Sequence, residues 1–173
     1  MNNLGLNIIR STTSRHARKM EKIMKQIILV ALIIASFALP AAAGDGMINV
    51  LSSFTVTESA ERMVKILNKK GMTIFNHIKH SQSAGRVGVK LRPTELIIFG
   101  NPKVGSPLMA CQQSIAIDLP QKALIWEDEK GKVWISYNDP RYLAARHHLA
   151  GCEKIIKKIG KALAGITEAA ATR

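Results

Sequence analysis

The chain has 173 residues, 25 of them Lys or Arg and 12 Asp or Glu, for a formal charge of +13. An apolar share of 47% excludes a disordered chain, and two cysteines that form no CxxC pair exclude a fold built on disulfides. The length suits one globular domain.

The first predicted element is an export signal over residues 1–43. Ile27 to Leu39 are thirteen uncharged, almost wholly apolar positions preceded by Lys25. A membrane-spanning helix needs roughly 20 such residues, so the run is short for an anchor. Ala41 and Ala43 supply the small-x-small pattern of signal cleavage after Ala43. An uncleaved N-terminal anchor is the alternative. Met20 and Met24 each offer a shorter start, and no Arg-Arg pair precedes the run. Cleavage removes six basic residues and one acid, leaving 19 against 11, a charge of +8 on residues 44–173. That surplus favours anionic lipid, polysaccharide or an acidic partner. No zinc-finger, helix-turn-helix or RGG signature points to nucleic acid.

Residues 49–56 alternate weakly, as a strand does, and Thr57 follows as a helix N-cap. Ala60, Met63, Val64 and Leu67 are spaced as one helical stripe, with Glu58 and Glu61 in the first turn, which predicts a helix over 58–70 stopped by Gly71. A strand is predicted over 72–78, then a loop or short helix over 80–88, then a strand over 94–99. Ser106 and Pro107 read as N-cap and N1 of a short helix. Residues 115–119 read as another strand, broken by Pro120. Residues 123–126 and 133–137 form a hairpin. A three-residue loop with Gly131 in the left-handed position would set Trp126 opposite Trp134; a two-residue Lys130-Gly131 turn would shift that register. Asp139-Pro140 starts a short helix, and an amphipathic helix is predicted over 152–166. It carries Ile155, Ile156, Ile159, Leu163 and Ile166 on one side, and Lys154, Lys157, Lys158 and Lys161 mostly on the other. The order predicts a single α+β domain over 44–173, a small, mostly antiparallel sheet with helices packed on it.

The central block resembles the domain of unknown function 302 family. The residues that carry the likeness are LRPTELIIFGNP (91–102), GSPLM (105–109), IDLP (117–120) and WEDEKGKVWISYNDP (126–140), with His80 in the place of a characteristic family histidine. The likeness covers about 49–148. Ser106 replaces the usual threonine, and Gln121 stands where an apolar residue is common. The resemblance implies a compact sheet, frequently a homodimer, and no established activity. With the export signal it implies a periplasmic protein, secretion being the alternative.

Several residues are candidates for a site. GNPKVGS (100–106) lies between a strand and a helix and has the glycine spacing of a phosphate loop. Ser106 stands where that loop needs lysine, and Pro102 and Pro107 remove two backbone donors, so no nucleotide is expected. A small anion at Gly105/Ser106 and a plain turn closed by Asn101 are the remaining readings. His80, among Lys79, Arg86, Lys90 and Arg92, is a candidate acid, base or ligand contact, with Asp118 or Glu95 to orient it. No metal is assigned: His77 and His80 face opposite ways on a strand, His147 and His148 diverge on a helix, and Met63, Met72 and Met109 read as core rather than as a copper set. No cofactor is expected. Cys111 and Cys152 are a candidate disulfide closing a loop of roughly 40 residues, on the order of 4 kcal/mol in the chain-entropy view; a buried free Cys111 is the alternative. Trp126, Trp134 and Tyr137 make either an aromatic ligand wall or cross-strand pairs.

Taken together, the residues predict a binding module without covalent chemistry, with His80, Arg92, Asn101, Ser106 and Asp118 as candidate ligand contacts and a homodimer as the expected assembly. The alternatives are an enzyme with His80 as acid or base and Arg92 or Lys90 holding an anionic substrate, and an envelope-surface protein acting through its basic last helix. No catalytic residue is assigned. Membrane contact is expected only through the signal segment before cleavage.

Overall fold

The computed structural model describes residues 46–173, within a compact unit formed by residues 44–173. The expected export segment, including its apolar run, lies outside the described residues. In chain order the elements are β1 (Met47–Ser52), α1 (Val56–Lys69), β2 (Thr73–Lys79), α2 (His80–Arg86), β3 (Thr94–Gly100), α3 (Pro102–Cys111), a 3-10 turn (Gln113–Ile117), β4 (Gln121–Glu127), β5 (Val133–Asn138), α4 (Pro140–Arg146) and α5 (Glu153–Ala171). The sheet runs β1-β5-β4-β3-β2 with every neighbouring pair antiparallel. The fold class is α+β, as predicted.

Side chains alternate across the sheet, and the two faces differ. Ile97, Phe99, Ala123, Ile125 and Ile135 are fully buried on one face. Against them pack Ala60, Met63 and Leu67 of α1 and Ile156, Ile159, Leu163 and Ile166 of α5. Each of the larger side chains among them, Leu, Ile, Phe or Met, contributes about 1.5–3 kcal/mol by leaving water. On the other face Leu51, Trp134 and Trp126 stand in one cross-strand row, and Leu124, Leu96 and Ile78 in the next. None of these six belongs to the core cluster.

α1 begins two residues earlier than predicted, and its cap is Thr55 rather than Thr57. The Thr55 hydroxyl accepts from the Glu58 backbone N–H, and the Glu58 carboxylate accepts from the Thr55 backbone N–H at 3.0 Å. This reciprocal box satisfies two donors that a helix start leaves orphaned. These bonds hold the Glu58 carboxyl below its ordinary range, the Thr55 backbone N–H contributing most. Gly71 terminates α1 at φ +65°, in the left-handed region that suits glycine.

Three other boundaries differ from expectation. α3 starts at Pro102 with Asn101 as its cap, so Ser106 and Pro107 lie inside the helix. Asn101 wins because its side chain accepts from the Lys103 N–H at 2.9 Å and Pro102 needs no partner at N1. Residues predicted as a strand over 115–119 form the 3-10 turn; their period of two imitates a strand, but Ile115 is buried while Ile117 is 74% exposed and no neighbour pairs with them. α5 runs to Ala171 rather than to 166. Its final carbonyls are met from far along the chain: Arg62 donates to Ala169, Ala170 and Thr172, and the Ser53 N–H donates to Ala171 at 2.8 Å. Arg62 also stacks 4.1 Å from the centre of the Phe54 ring.

The β4–β5 hairpin uses the three-residue loop. The Asp128 N–H donates to Lys132, Gly131 is left-handed at φ +70°, and Trp126 sits opposite Trp134. At the opposite edge, β2 shifts register between Ile74 and Asn76, leaving Phe75 unpaired and 55% exposed. Cys111, at the end of α3, is bridged to Cys152, just before α5, with Cα atoms 6.6 Å apart.

Thr55→Ala is expected to cost about 1 kcal/mol in denaturant unfolding, whereas Thr57→Ala should change stability by less than about 0.5 kcal/mol. Equal losses at both positions would rule out the Thr55 cap.

Candidate functional site

The residues picked out in the sequence divide between the two ends of the sheet. β3 has seven residues, so its ends stand about 20 Å apart. His80 follows β2 and Arg92 precedes β3, at one end; Asn101 and Ser106 follow β3 at the other. His80 is exposed, with no side-chain hydrogen bond among the described residues. Both carboxylates expected to orient it serve other histidines. Glu95 meets His77 Nε2 at 2.6 Å, and Asp118 meets His147 Nε2 at 2.5 Å. Arg92 donates to the Glu127 carbonyl at 3.2 Å on the surface. The constellation that an enzyme built on His80 requires is therefore not assembled.

Asn101 and Ser106 do converge, on a groove of about 550 Å³. One wall is α3, with Val104, Gly105, Leu108 and Met109. The opposite wall is α5, with Ile159, Ala162, Leu163 and Ile166. Met72, Phe75, Leu119 and Pro120 close the sides. The sequence accounts for the opening: the β2 bulge turns Phe75 out of the sheet's alternation, and Gly105 contributes no side chain. Two cations, Lys70 and Lys158, are in the lining, and no carboxylate is. A small anion on the amides at Gly105/Ser106 is not favoured by this geometry. The N–H groups of Val104 and Gly105 already donate to Asn101 O, each at 2.9 Å, and that of Lys103 to the Asn101 side chain. Of the methionines considered, Met63 is buried in α1 while Met72 and Met109 line the groove. Among the described residues no group of three or more His, Cys, Asp or Glu is placed to hold a metal.

The sequence reading missed the role of His147. It is 7% exposed and sits between Ser114, whose hydroxyl is 3.0 Å from Nδ1, and Asp118 at Nε2. Arg146 also donates to Asp118, at 3.2 Å. Serine, histidine and aspartate in line are the parts of a hydrolytic triad. Neither Ser114 nor His147 lines a described cavity, and the line joins the 3-10 turn to the end of α4. Its evident work is to fasten those two segments beside the Cys111–Cys152 bridge. Adjacent histidines in a sequence carry no mark of which one turns inward, so no local signal could have found it.

Two further surfaces complete the inventory. A cavity of about 580 Å³ between β1, α4 and α5 is lined by Ile48, Leu149 and Ile156 with charges of both signs. Lys157 and Lys161 border this cavity, whereas Lys158 borders the groove, so the basic side of α5 is divided between two sites. On the open sheet face the Trp126 indole N–H donates to Ser136 at 2.8 Å, and that of Trp134 to Asp128 at 2.9 Å. The two indoles are cross-strand neighbours with their polar atoms satisfied. Tyr137 points to the opposite, helix-covered face, so the three aromatics do not form one wall. The Asp128 carboxyl is held below its ordinary range, first by the Trp134 indole and then by the Lys132 backbone N–H.

An antiparallel sheet with one helix-covered face and one open face, and a groove at its β3–α3 end, defines a small α+β domain. The chain belongs to the family described as Domain of unknown function DUF302, which it matches over residues 48–166. A crystal structure of an uncharacterized conserved DUF302 protein from Bacillus stearothermophilus has the same fold: TM-score 0.67 at 18% identity, covering 73% of this chain and 99% of that one. Similar relatives are two proteins named "Fluoride-specific ion channel FluC 1", from Brucella suis biovar 1 and Brucella abortus biovar 1. Each is 46% identical over 105 residues, 61% of this chain. The match spans 41% and 39% of those proteins, about two fifths of their length. Among the described residues no helix is long and apolar enough to cross a membrane.

Replacing His147 by Leu leaves Asp118 facing an apolar side chain in a mostly buried site, and should cost about 2–3 kcal/mol in denaturant unfolding. Ser114→Ala, at an exposed position, should cost less than about 1 kcal/mol. For Asp128, a folded pKa below the unfolded value means that its contribution is complete above about pH 4 and is lost as pH falls through the folded value. The Trp134 indole N–H resonance should therefore shift on acidification below about pH 4, and Asp128→Asn should abolish that shift.

Proposed function

We propose that this chain is a periplasmic binding module whose groove between α3 and α5 takes up an apolar ligand without covalent chemistry. The observation that carries the reading is the groove itself. Its volume of about 550 Å³ lies within the range of small-molecule sites, which are mostly apolar with a few placed polar groups. The titratable pairs, His77–Glu95 and His147–Asp118, lie outside it. The export pattern in the sequence, together with a bridged cysteine pair, supports an oxidising compartment. Ion conduction is not carried over from the relatives' names, since the match reaches only about two fifths of those proteins.

The full chain, produced in a Gram-negative host and recovered from the periplasm, tests this by native mass spectrometry. The expected species is cut after Ala43 and carries a co-purifying small mass. Ala162 is exposed on α5 and lines the groove, so Ala162→Trp should fill the space and expel that mass without loss of stability. An unliganded protein that also fails to take up a fluorescent apolar probe would overturn the reading.

A second copy of the chain is the proposed cover for the open sheet face. Leu51 is 51% exposed there and Met47 40%, and both indole N–H groups on that face are already satisfied within the chain. The face therefore offers apolar surface without stranded donors, as a buried interface requires. Leu124→Lys should convert a dimer to a monomer in sedimentation, whereas an unchanged mass would exclude this face.

A further inference from the structure

We infer that the occupant of the groove is a single-chain fatty acid whose carboxylate is held by Lys70 and Lys158. This inference rests on the binding-module reading and names its ligand class. The charge of the lining favours an anionic head group. Lys70 and Lys158 are the charged residues of the lining, and both are exposed. Long lysine stems lie along apolar walls while their ammonium groups stay at the water boundary, which places two positive charges at the mouth and none at depth. A neutral ligand gains nothing from such a mouth, while an anionic head group does.

Backbone donors near the groove are already taken. The α3 N-terminus abuts the groove, but its first amides are engaged by Asn101. A phosphate bound through backbone N–H groups therefore has no donors at that helix start. Recognition falls to the lysines, with the neutral side chains of Ser106 and Gln121 beside them.

The chemistry of the walls suits a flexible chain. Phe75 is the one aromatic side chain of the lining, and the rest of its apolar part is aliphatic or thioether. Flat rings have few partners to stack on in such a site, whereas a flexible chain is well served by methionine, which adapts to irregular contours. Phe75 itself is 55% exposed at the edge of the groove, an apolar surface that an acyl chain would cover.

The test is direct titration of the delipidated full chain with hexadecanoate and, in parallel, hexadecan-1-ol, read by displacement of a fluorescent acyl probe. Hexadecanoate should bind more tightly than the alcohol, and only its affinity should fall with added salt. Lys70→Gln and Lys158→Gln should each weaken the acid by about three- to tenfold and leave the alcohol unchanged. Both positions are exposed, so folding is expected to be preserved and is checked by the thermal midpoint. Equal binding of acid and alcohol, insensitive to both lysine variants, would overturn the head-group assignment while leaving the binding module intact. Failure of both ligands, with the probe also unbound, would overturn the module as well. Displacement of the probe by phosphatidylglycerol vesicles but not by hexadecanoate would assign the groove to a two-chain membrane lipid and overturn this inference.

Discussion

The burial of α5 against α1 and the sheet is the contact on which the rest of the structure depends. Ile156, Ile159, Leu163 and Ile166 enter the core from one side of this helix, and Ala170 and Ala171 close it at the far end. Arg62 of α1 takes the last carbonyls of α5, and Ser53, leading out of β1, takes another. The final element of the chain is thereby tied to the first strand and the first helix. A helix end whose carbonyls were buried without partners would be costly; here one guanidinium serves three of them and stacks on Phe54 as well.

The same helix also creates the groove. Ile159, Leu163 and Ile166 of α5 belong to the core and also line the space beside α3, where the exposed Lys158 and Ala162 complete this wall. The Cys111–Cys152 bridge holds the far end of α3 to the start of α5, and the Asp118–His147 contact holds the 3-10 turn to α4. The two walls are therefore joined at one end by a covalent link.

How much of this was legible follows the range of the forces involved. α1 and the β4–β5 hairpin were readable because their signals are local: an apolar stripe of helical spacing, a stop glycine, and Gly131 in a tight loop. The end of α5 was not, because its closing residue, Arg62, lies 108 residues from its partner Ala170. Nor was the 3-10 turn, where Ile115 and Ile117 copy the period of a strand. Asn101 and Ser106, read as candidate ligand contacts, both line the groove, where Asn101 also caps α3. His80 stood out by its charged sequence neighbours, yet the two acids that mattered chose His77 and His147. Those choices are made by strand pairing and helix docking, which no local window contains.

The irregularity at Phe75 has a consequence beyond the groove. β2 is one of the two outer strands of the sheet, and outer strands offer unpaired backbone groups that another chain can copy in an open-ended stack. The shift between Ile74 and Asn76 interrupts that row midway, so an incoming strand would find its spacing broken after a few residues. The bulge that turns Phe75 out of the sheet's alternation thus also guards this border against runaway polymerisation, and a substitution that restored even pairing there would open a fibre-forming edge.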